Sequence, residues 1–161
     1  MDKPALSHLD ESGRPRMVDV SAKDDTAREA TAKGCVYMNA ETLRLAIRNK
    51  GAKGDVLTTA QIAGTMAAKR THELIPLCHP LPLTGIHVSL AADEAHACIE
   101  ITATVRTTAK TGVEMEALTA VSIAALTVYD MLKAAQKDLR IGDIRLVRKT
   151  GGKSDYTEAD A

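Results

Sequence analysis

Large aromatic side chains are almost absent from this 161-residue chain, which has no Trp, no Phe and three Tyr. Its core must therefore be built from Leu, Ile, Val, Met and Ala. The shortage also counts against single-stranded nucleic-acid binding, because such proteins stack successive bases on aromatic rings. We expect no nucleic acid among the partners of this chain.

Net charge is absent as well, since 21 basic residues balance 21 acidic residues. No global field favours DNA or an anionic membrane, so any anion site depends on local clustering of basic side chains. The chain shows no basic-then-apolar leader after Met1 and no apolar run of bilayer length. We expect a soluble, cytoplasmic protein without a membrane partner.

Cysteine is scarce, and Cys35, Cys78 and Cys98 are odd in number and widely spaced. This pattern does not predict a disulfide framework and is typical of a reducing compartment. Cys78 stands beside His79, but adjacent residues rarely both reach one ion. No CxxC or HxxxH pair supports a metal site.

Hydrophobic periodicity predicts a flexible tail over residues 1–16, a single domain over 17–150 and a flexible tail over 151–161. Two period-2 runs, Ile86–Leu90 and Ile99–Val105, flank a turn-length link and predict a β-hairpin. The predicted order β, α, α, β, β, α, β indicates an α+β, ferredoxin-like fold. In that fold an antiparallel sheet carries helices packed on one face.

The other predicted elements are strands at Met17–Ser21, at Cys35–Met38 and around Ile144, and helices at Ala40–Lys50, Asp55–Leu74 and Gly112–Lys137. Asn39 and Asp55 are placed to cap the first two helices. The prolines of IPLCHPLPL exclude a helix there. The middle of the last helix is apolar almost all round, and a small domain can hardly cover it, which favours subunit contacts.

Two segments place polar residues where packing does not require them. In KGDV, glycines on both sides of Lys53 free the backbone for close ligand approach, although a solvated turn would look the same. In LCHPL, His79 lies in an apolar segment. It is either an acid, a base or a phosphate donor, or a satisfied core histidine.

A third segment, TGVEMEAL, carries Glu114 and Glu116. If the segment is helical, the two carboxylates lie about 200° apart and do not cooperate. If it is extended, they share one face and suit acid–base work or binding of a guanine-like edge. Carboxylates at a helix N-terminus, favoured by the dipole, are the structural alternative.

The fourth segment, YDMLK, places Asp130 and Lys133 three residues apart on one helical face, in a polar stripe with Thr119 and Ser122. An exposed ion pair is the common explanation of such a pair, whereas a polar stripe on a buried helix indicates a lined cavity or an ordered interface. Asp130 lies 14 residues after Glu116, or about 21 Å along one helix. If both act, the site is extended or is shared by two subunits.

A basic cluster near the end of the domain can hold a polyphosphate or be solvated charge on a strand face. It consists of Arg140, Arg145, Arg148, Lys149 and Lys153.

Several strings follow one another along the chain: MVDVSAK, KGDV, QIAG, AAKRT, ELIPLCHPL, KTGVEMEALTA, YDM and GGKS. In these residues, from Met17 to Ser154, the chain resembles the cyclic pyranopterin monophosphate synthases of molybdenum cofactor biosynthesis, the MoaC family. The length of LIPLCHPL and KTGVEMEALTA argues against a chance match.

The resemblance implies a phosphorus–oxygen lyase that acts after a radical S-adenosylmethionine GTP cyclase. Its small-molecule nucleotide substrate would be 3′,8-cyclo-7,8-dihydro-GTP, and its products cyclic pyranopterin monophosphate and pyrophosphate. The resemblance also implies ferredoxin-like subunits in a homohexamer, a trimer of dimers with intersubunit active sites.

The resemblance extends to single positions. It implies catalytic roles for Lys53, His79, Glu114, Glu116, Asp130 and Lys133. It implies substrate contacts at Leu77, Cys78, His79, Met115 and Glu116. Family members carry Gly after GGKS or GGRS, whereas this chain has Asp155, so the resemblance supports tail contacts to phosphate, such as Lys153, least.

Rebuilding the rings demands several proton transfers. A lysine of lowered pKa beside carboxylates can act as acid and base near neutral pH. The hypothesis therefore assigns proton transfer to Lys53 and Lys133, and orientation or deprotonation to Asp130. Glu114 and Glu116 would hold the pterin end of the substrate. Candidates that stabilise the departing pyrophosphate are His79, Lys69, Arg28 and Lys149. No cofactor is required, with Mg²⁺ at the phosphates as the one optional addition.

Two other classes compete with an enzyme. A non-catalytic nucleotide or pterin sensor would bind without turnover, but it has no need of poised proton donors. A purely structural helix-mediated oligomer would bind no ligand and would tolerate neutral changes at Asp130.

Overall fold

The computed structural model describes residues 9–10, 12–48 and 55–159. In chain order the elements are β1 (Thr26–Tyr37), α1 (Ala40–Ile47), α2 (Val56–Lys69), α3 (Thr71–Leu74), β2 (Leu83–Asp93), β3 (Cys98–Ala109), α4 (Glu114–Leu132), β4 (Arg140–Thr150) and β5 (Tyr156–Thr157). The predicted α+β, ferredoxin-like fold is confirmed.

One antiparallel sheet organises the domain, with the strand order β2-β3-β1-β4-β5. The central strand β1 pairs with β3 on one side and with β4 on the other. Alternate β1 side chains such as Ala30, Ala32 and Val36 are fully buried, whereas Lys33 between them is exposed. One face of the sheet therefore packs against the helices, as the period of two dictates.

The predicted caps and the predicted hairpin are confirmed. The side chain of Asn39 accepts a hydrogen bond from the Thr42 N–H at 2.8 Å, and Asp55 accepts one from Thr58 at 3.0 Å. The predicted helix Asp55–Leu74 is divided at Arg70, where the backbone leaves helical geometry and α3 begins. Residues 75–82 form neither helix nor strand, as their prolines require.

The predicted strand at Met17–Ser21 is wrong, because residues 17–20 belong to no strand and Ser21 lies in a turn. Alternating apolar and polar residues indicate that one side of the segment faces the protein. The alternation does not show whether a neighbouring strand is available for pairing. At the other end, Tyr156 and Thr157 pair with β4, and Glu158 forms an ion pair with Arg145 at 2.8 Å.

Helix α4 is the core helix of the domain. Its residues from Ala117 to Leu132 are buried on the side facing the sheet and α2. By length and composition alone α4 is long and apolar enough to cross a bilayer, and 56% of its most apolar 18-residue stretch is buried inside the fold. A small domain covers α4 better than the sequence indicated, since the covered side is rich in alanine and packs closely.

Glycines set the distance at which α4 packs. A Cβ added at Gly34 of β1 would lie 2.8 Å from Val121 Cγ1, and one at Gly64 of α2 would lie 2.8 Å from the Ala120 carbonyl oxygen. Real Cβ atoms do not approach so closely, so the sheet and α2 reach α4 only because both positions lack a side chain.

We predict that Gly64→Ala destabilises the fold. Alanine favours a helix by about 1 kcal/mol, but overpacking against a fixed backbone carbonyl costs about 1–3 kcal/mol. The net expectation is a lower urea midpoint with an unchanged m-value, a loss of up to about 2 kcal/mol. The control is Gly85→Ala, where the new Cβ meets only Arg106 side-chain atoms at 3.7 Å or more. A Gly64→Ala protein as stable as this control would contradict the packing argument.

Candidate functional site

Two adjoining cavities open at the N-terminal end of α4. The helix begins at Glu114 with no side-chain cap from Val113, so its first-turn N–H groups lack that partner. The positive end of the helix dipole therefore faces this region. Both Glu114 and Glu116 lie in the first turn, which settles the open question between helix and strand in favour of helix.

The first cavity, which we call the basic cavity, has a volume of about 210 Å³. Its lining consists of Lys23, Arg28, Glu29, Lys110, Thr111, Gly112, Val113, Glu114, Lys149, Thr150, Gly152, Lys153 and Ser154. Five cationic side chains thus face two carboxylates. Such a surface suits an anion with several charged oxygens.

The second cavity, which we call the carboxylate cavity, has a volume of about 410 Å³. Its lining consists of Val18, Val20, Lys23, Leu77, Cys78, His79, Leu81, Thr111, Gly112, Glu114, Met115 and Glu116. Apolar walls around a few polar groups are typical of a pocket for a heterocyclic ligand.

The two cavities share four lining residues, Lys23, Thr111, Gly112 and Glu114. The Glu114 carboxylate accepts a hydrogen bond from Lys149 Nζ at 3.1 Å. The shared wall makes one bipartite pocket, which is cationic at one end and apolar with carboxylates at the other.

Glu116 is the buried acid of the pocket, with 4% of its surface exposed. Burial, with a smaller contribution from the charge of Glu114, raises the pKa of Glu116 to about 7. Burial and then the charge of Glu116 also raise the pKa of the Cys78 thiol. A carboxyl group that titrates near neutrality can give or take a proton at physiological pH.

Helical placement does not separate the two glutamates as the sequence suggested. Glu114 and Glu116 point to different sides of α4, yet both line the carboxylate cavity. The cavity opens over the end of the helix rather than along one side, so both side chains reach it.

The turn after β4 brings the tail over the basic cavity. Gly151 has φ +85°, and a Cβ there would lie 1.9 Å from the Ala27 carbonyl oxygen. The Thr26 hydroxyl donates to the Gly151 carbonyl at 2.9 Å. Only glycine fits this turn, which places Lys153 and Ser154 in the cavity lining.

Most of the predicted site residues come together in this pocket. Those that line it are Arg28, Leu77, Cys78, His79, Glu114, Met115, Glu116, Lys149 and Lys153. Lys69 does not line it, because it is exposed in the last turn of α2. Lys53 lies outside the described residues.

Asp130 and Lys133 lie apart from the pocket, near the other end of α4. Their ion pair measures 2.7 Å, and each side chain is about half exposed, at 53% and 54%. The residues of the predicted polar stripe line neither of the two cavities, and the Ser122 hydroxyl donates to the Leu118 carbonyl of its own helix at 2.8 Å. Within one chain, Asp130 and Glu116 therefore belong to different regions.

The pKa of Lys133 is shifted in the direction opposite to the one that the proton-transfer hypothesis requires. The hydrogen bond to Asp130, and then the charge of that carboxylate, raise the pKa of Lys133 rather than lower it. Lowering would require burial or a neighbouring cation, and the single chain gives this half-exposed lysine neither.

Sequence reasoning missed several lining residues, among them Val18, Val20, Lys23 and Lys110. Val18 and Val20 lie in Met17–Ser21, which we interpreted as a strand, Lys23 ends the string MVDVSAK, and Lys110 opens KTGVEMEALTA. The strings themselves were the available signal, but only the folded chain brings residue 23 beside residue 114.

A metal centre has no support in the part of the chain that the structure describes, where no group of three or more His, Cys, Asp or Glu side chains is placed to hold an ion. Both carboxylates of the basic cavity already contact cations: Glu29 pairs with Arg106 and Arg148, and Glu114 with Lys149.

Fold and pocket define an α+β protein whose bipartite cavity suits a small phosphorylated heterocycle. A sequence profile of the MoaC family matches residues 17–152. The chain is 64% identical over 149 residues to a cyclic pyranopterin monophosphate synthase of Roseiflexus sp. (strain RS-1), covering 92% of this chain and 94% of that one. It is 60% identical over 151 residues to the protein of the same name from Heliobacterium modesticaldum, covering 94% and 95%. The chain belongs to the MoaC family.

We predict a pH dependence of stability that originates at Glu116. Because its folded pKa of about 7 exceeds the ordinary 4.5, the folded protein binds the extra proton between these values. The contribution of Glu116 is fully present below pH 4.5 and is lost as the pH rises through 7, to a total of about 3 kcal/mol. Glu116→Gln, which cannot ionise, should therefore match wild type near pH 4.5 and exceed its unfolding free energy at pH 8.

Urea unfolding at pH 4.5, 6, 7 and 8 measures this difference. The matched control is Glu94→Gln in the exposed β2–β3 turn, which should follow the wild-type curve. If the difference in unfolding free energy between Glu116→Gln and wild type does not grow with pH, ionisation of Glu116 does not destabilise the folded protein.

Proposed function

We propose that this chain is a phosphorus–oxygen lyase of molybdenum cofactor biosynthesis. It converts 3′,8-cyclo-7,8-dihydro-GTP to cyclic pyranopterin monophosphate and releases pyrophosphate. The observation that carries the proposal is the bipartite pocket, since this substrate has a triphosphate at one end and a fused heterocycle at the other. The name of the relatives supports the same reaction.

The basic cavity takes the phosphates. Lys149, Arg28 and Lys153 supply positive charge, which is needed when cyclisation of one phosphate expels the other two as pyrophosphate. Arg28 is also a structural anchor, because its guanidinium donates to the carbonyls of Ala109 and Lys110 at 2.9 and 3.2 Å. Its charge is thereby held at the floor of the cavity.

The carboxylate cavity takes the heterocycle. Glu116, with a pKa of about 7, exchanges protons with the ring system at neutral pH. Glu114 stands between the two cavities and bridges to Lys149, so it orients the junction of ring and phosphates. Leu77 and Met115 form apolar contacts on the wall of this cavity.

The second half of the active site comes from a neighbouring subunit, and the assembly is a cytoplasmic homohexamer. Glu116 and Asp130 are separated by about 21 Å along α4, so Asp130 and Lys133 act on a substrate bound to another chain.

Exposed apolar side chains on the helices support self-association: Ile62, Met66, Leu74 and Leu126 are each more than half exposed. In such an interface Lys133 is buried, which provides the desolvation that the single chain lacks. Lys53 joins the proton transfers.

No protein-bound cofactor takes part. The carboxylates of the basic cavity are engaged by arginine and lysine side chains, which leaves no ready set of oxygen ligands for Mg²⁺. Any Mg²⁺ therefore enters with the phosphates of the substrate, and its charge supplements that of the basic side chains.

We expect the purified protein to turn over freshly prepared 3′,8-cyclo-7,8-dihydro-GTP. Pyrophosphate release and the fluorescence of the oxidised pterin should rise together in wild type, and Asp130→Ala should abolish both signals. Saturable binding without product would point to a sensor, and absence of binding to a purely structural oligomer.

Mixing two inactive variants tests the shared site. Glu116→Ala and Asp130→Ala damage opposite halves, so in randomly mixed oligomers about a quarter of the sites receive both intact halves. Co-expression should therefore restore about a quarter of wild-type turnover. Co-expression of Glu116→Ala with the double variant Glu116→Ala/Asp130→Ala is the control and should restore none. No recovery in the first mixture would place both residues in one chain's site and overturn the intersubunit assignment.

A further inference from the structure

The segment Met17–Lys23, which we call the strap, forms one wall of the carboxylate cavity. Val18 and Val20 line that cavity, and Lys23 lines both cavities at their junction. The strap belongs to no helix or strand. The wall is therefore built from a segment that is held from outside the sheet.

Two side chains tie the strap to the body of the domain. His79 Nε2 lies 2.8 Å from the Val18 carbonyl oxygen, and Lys110 Nζ donates to the Ser21 carbonyl at 2.8 Å. His79 comes from the proline-bracketed loop before β2, and Lys110 directly follows β3. Both anchor residues also line the cavities, His79 the carboxylate cavity and Lys110 the basic cavity.

Within the strap, hydrogen bonds shape a turn that directs Lys23. The Asp19 carboxylate accepts from the Ser21 N–H at 2.8 Å, and the Lys23 N–H donates to the Val20 carbonyl at 3.0 Å. Only Val18 and Val20 are partly buried, whereas Met17, Asp19 and Ser21 are exposed. Little apolar surface holds the strap down, so the side-chain hydrogen bonds dominate its attachment.

The hydrogen bond of His79 shows which ring nitrogen carries a hydrogen. A carbonyl oxygen only accepts, so the proton must lie on Nε2 of the ring. That proton is engaged by the strap and is not directed at the cavity. His79 therefore influences a bound ligand through the strap, which is a different role from donating a proton to the substrate or charge to its phosphates.

We propose that Met17–Lys23 opens and closes over the pocket, that His79 and Lys110 are positioning residues that hold it closed, and that closure delivers Lys23 to the junction of the phosphate and ring ends. The identity of the ligand rests on the proposed function. The strap and its two attachments stand on the geometry alone.

Limited trypsin digestion of the unliganded protein tests the attachment. The bond after Arg16, at the exposed start of the strap, should be cut about tenfold faster in His79→Asn and in Lys110→Met, since each removes one hydrogen bond from the closed state. His79→Gln, whose amide nitrogen can reach the place of Nε2, should stay within about twofold of wild type. Lys137→Met, an exposed lysine remote from the strap, is the control for loss of a charge. Equal cleavage rates in all five proteins would overturn the proposal.

Kinetics then test whether the strap matters to the reaction. The kcat/KM of His79→Gln should be at least about tenfold higher than that of His79→Asn. The pH profile of kcat in His79→Gln should match that of wild type. Lys23→Met should raise KM more than it lowers kcat. If Gln and Asn variants are equally impaired and the pH profile loses a limb, His79 transfers a proton and the positioning role is wrong.

The two experiments fail separately. If neither wild type nor any variant turns over the substrate but the trypsin cleavage rates differ as expected, the proposed function is wrong and the role of the strap is supported. If turnover is normal and the trypsin pattern is absent, the strap is wrong and the proposed function stands.

Discussion

The close packing of α4 against the sheet and α2 is the constraint on which the rest of this structure depends. With no Phe or Trp to fill space, the core is formed by alanine, valine and isoleucine side chains at short range. Gly34 and Gly64 permit this range because their missing side chains leave room for Val121 and for the Ala120 carbonyl. These two close approaches fix where α4 lies against the sheet and α2, because any other position would bring a larger side chain against it.

That position determines the pocket. The first turn of α4 extends beyond its packed segment into the space between the ends of β1 and β3, the strap and the loop that carries His79. Glu116 lies in this turn, and its burial there raises its pKa to about 7. Glu114, two residues earlier in the chain, remains close enough to Lys149 to form an ion pair at 3.1 Å. One helix terminus thus provides two carboxyl groups with different environments, which is how a single pocket separates proton exchange from orientation.

Much of the fold was predictable from local signals, and the failures have a common cause. The caps at Asn39 and Asp55 and the β2–β3 hairpin were predicted because side-chain chemistry and periodicity act over a few residues. Most predicted site residues do meet in the pocket. The strand predicted at Met17–Ser21 was wrong because strand pairing is a tertiary property. Lys69 lies outside the pocket of the single chain, and its position could not be predicted because a place on a helix does not reveal which way that side of the helix faces.

By itself the sequence determined the class of fold, the MoaC family resemblance and the chemical types at the site, because these follow from periodicity and from residues that are near neighbours in the chain. Only the tertiary structure decided that His79 and Lys110 both bind the strap, that Glu116 is buried while Glu114 pairs with Lys149, and that Asp130 lies apart from the pocket. Burial, and with it every pKa shift and every cavity, depends on the surroundings that distant segments create. Those surroundings exist only once α4 has packed.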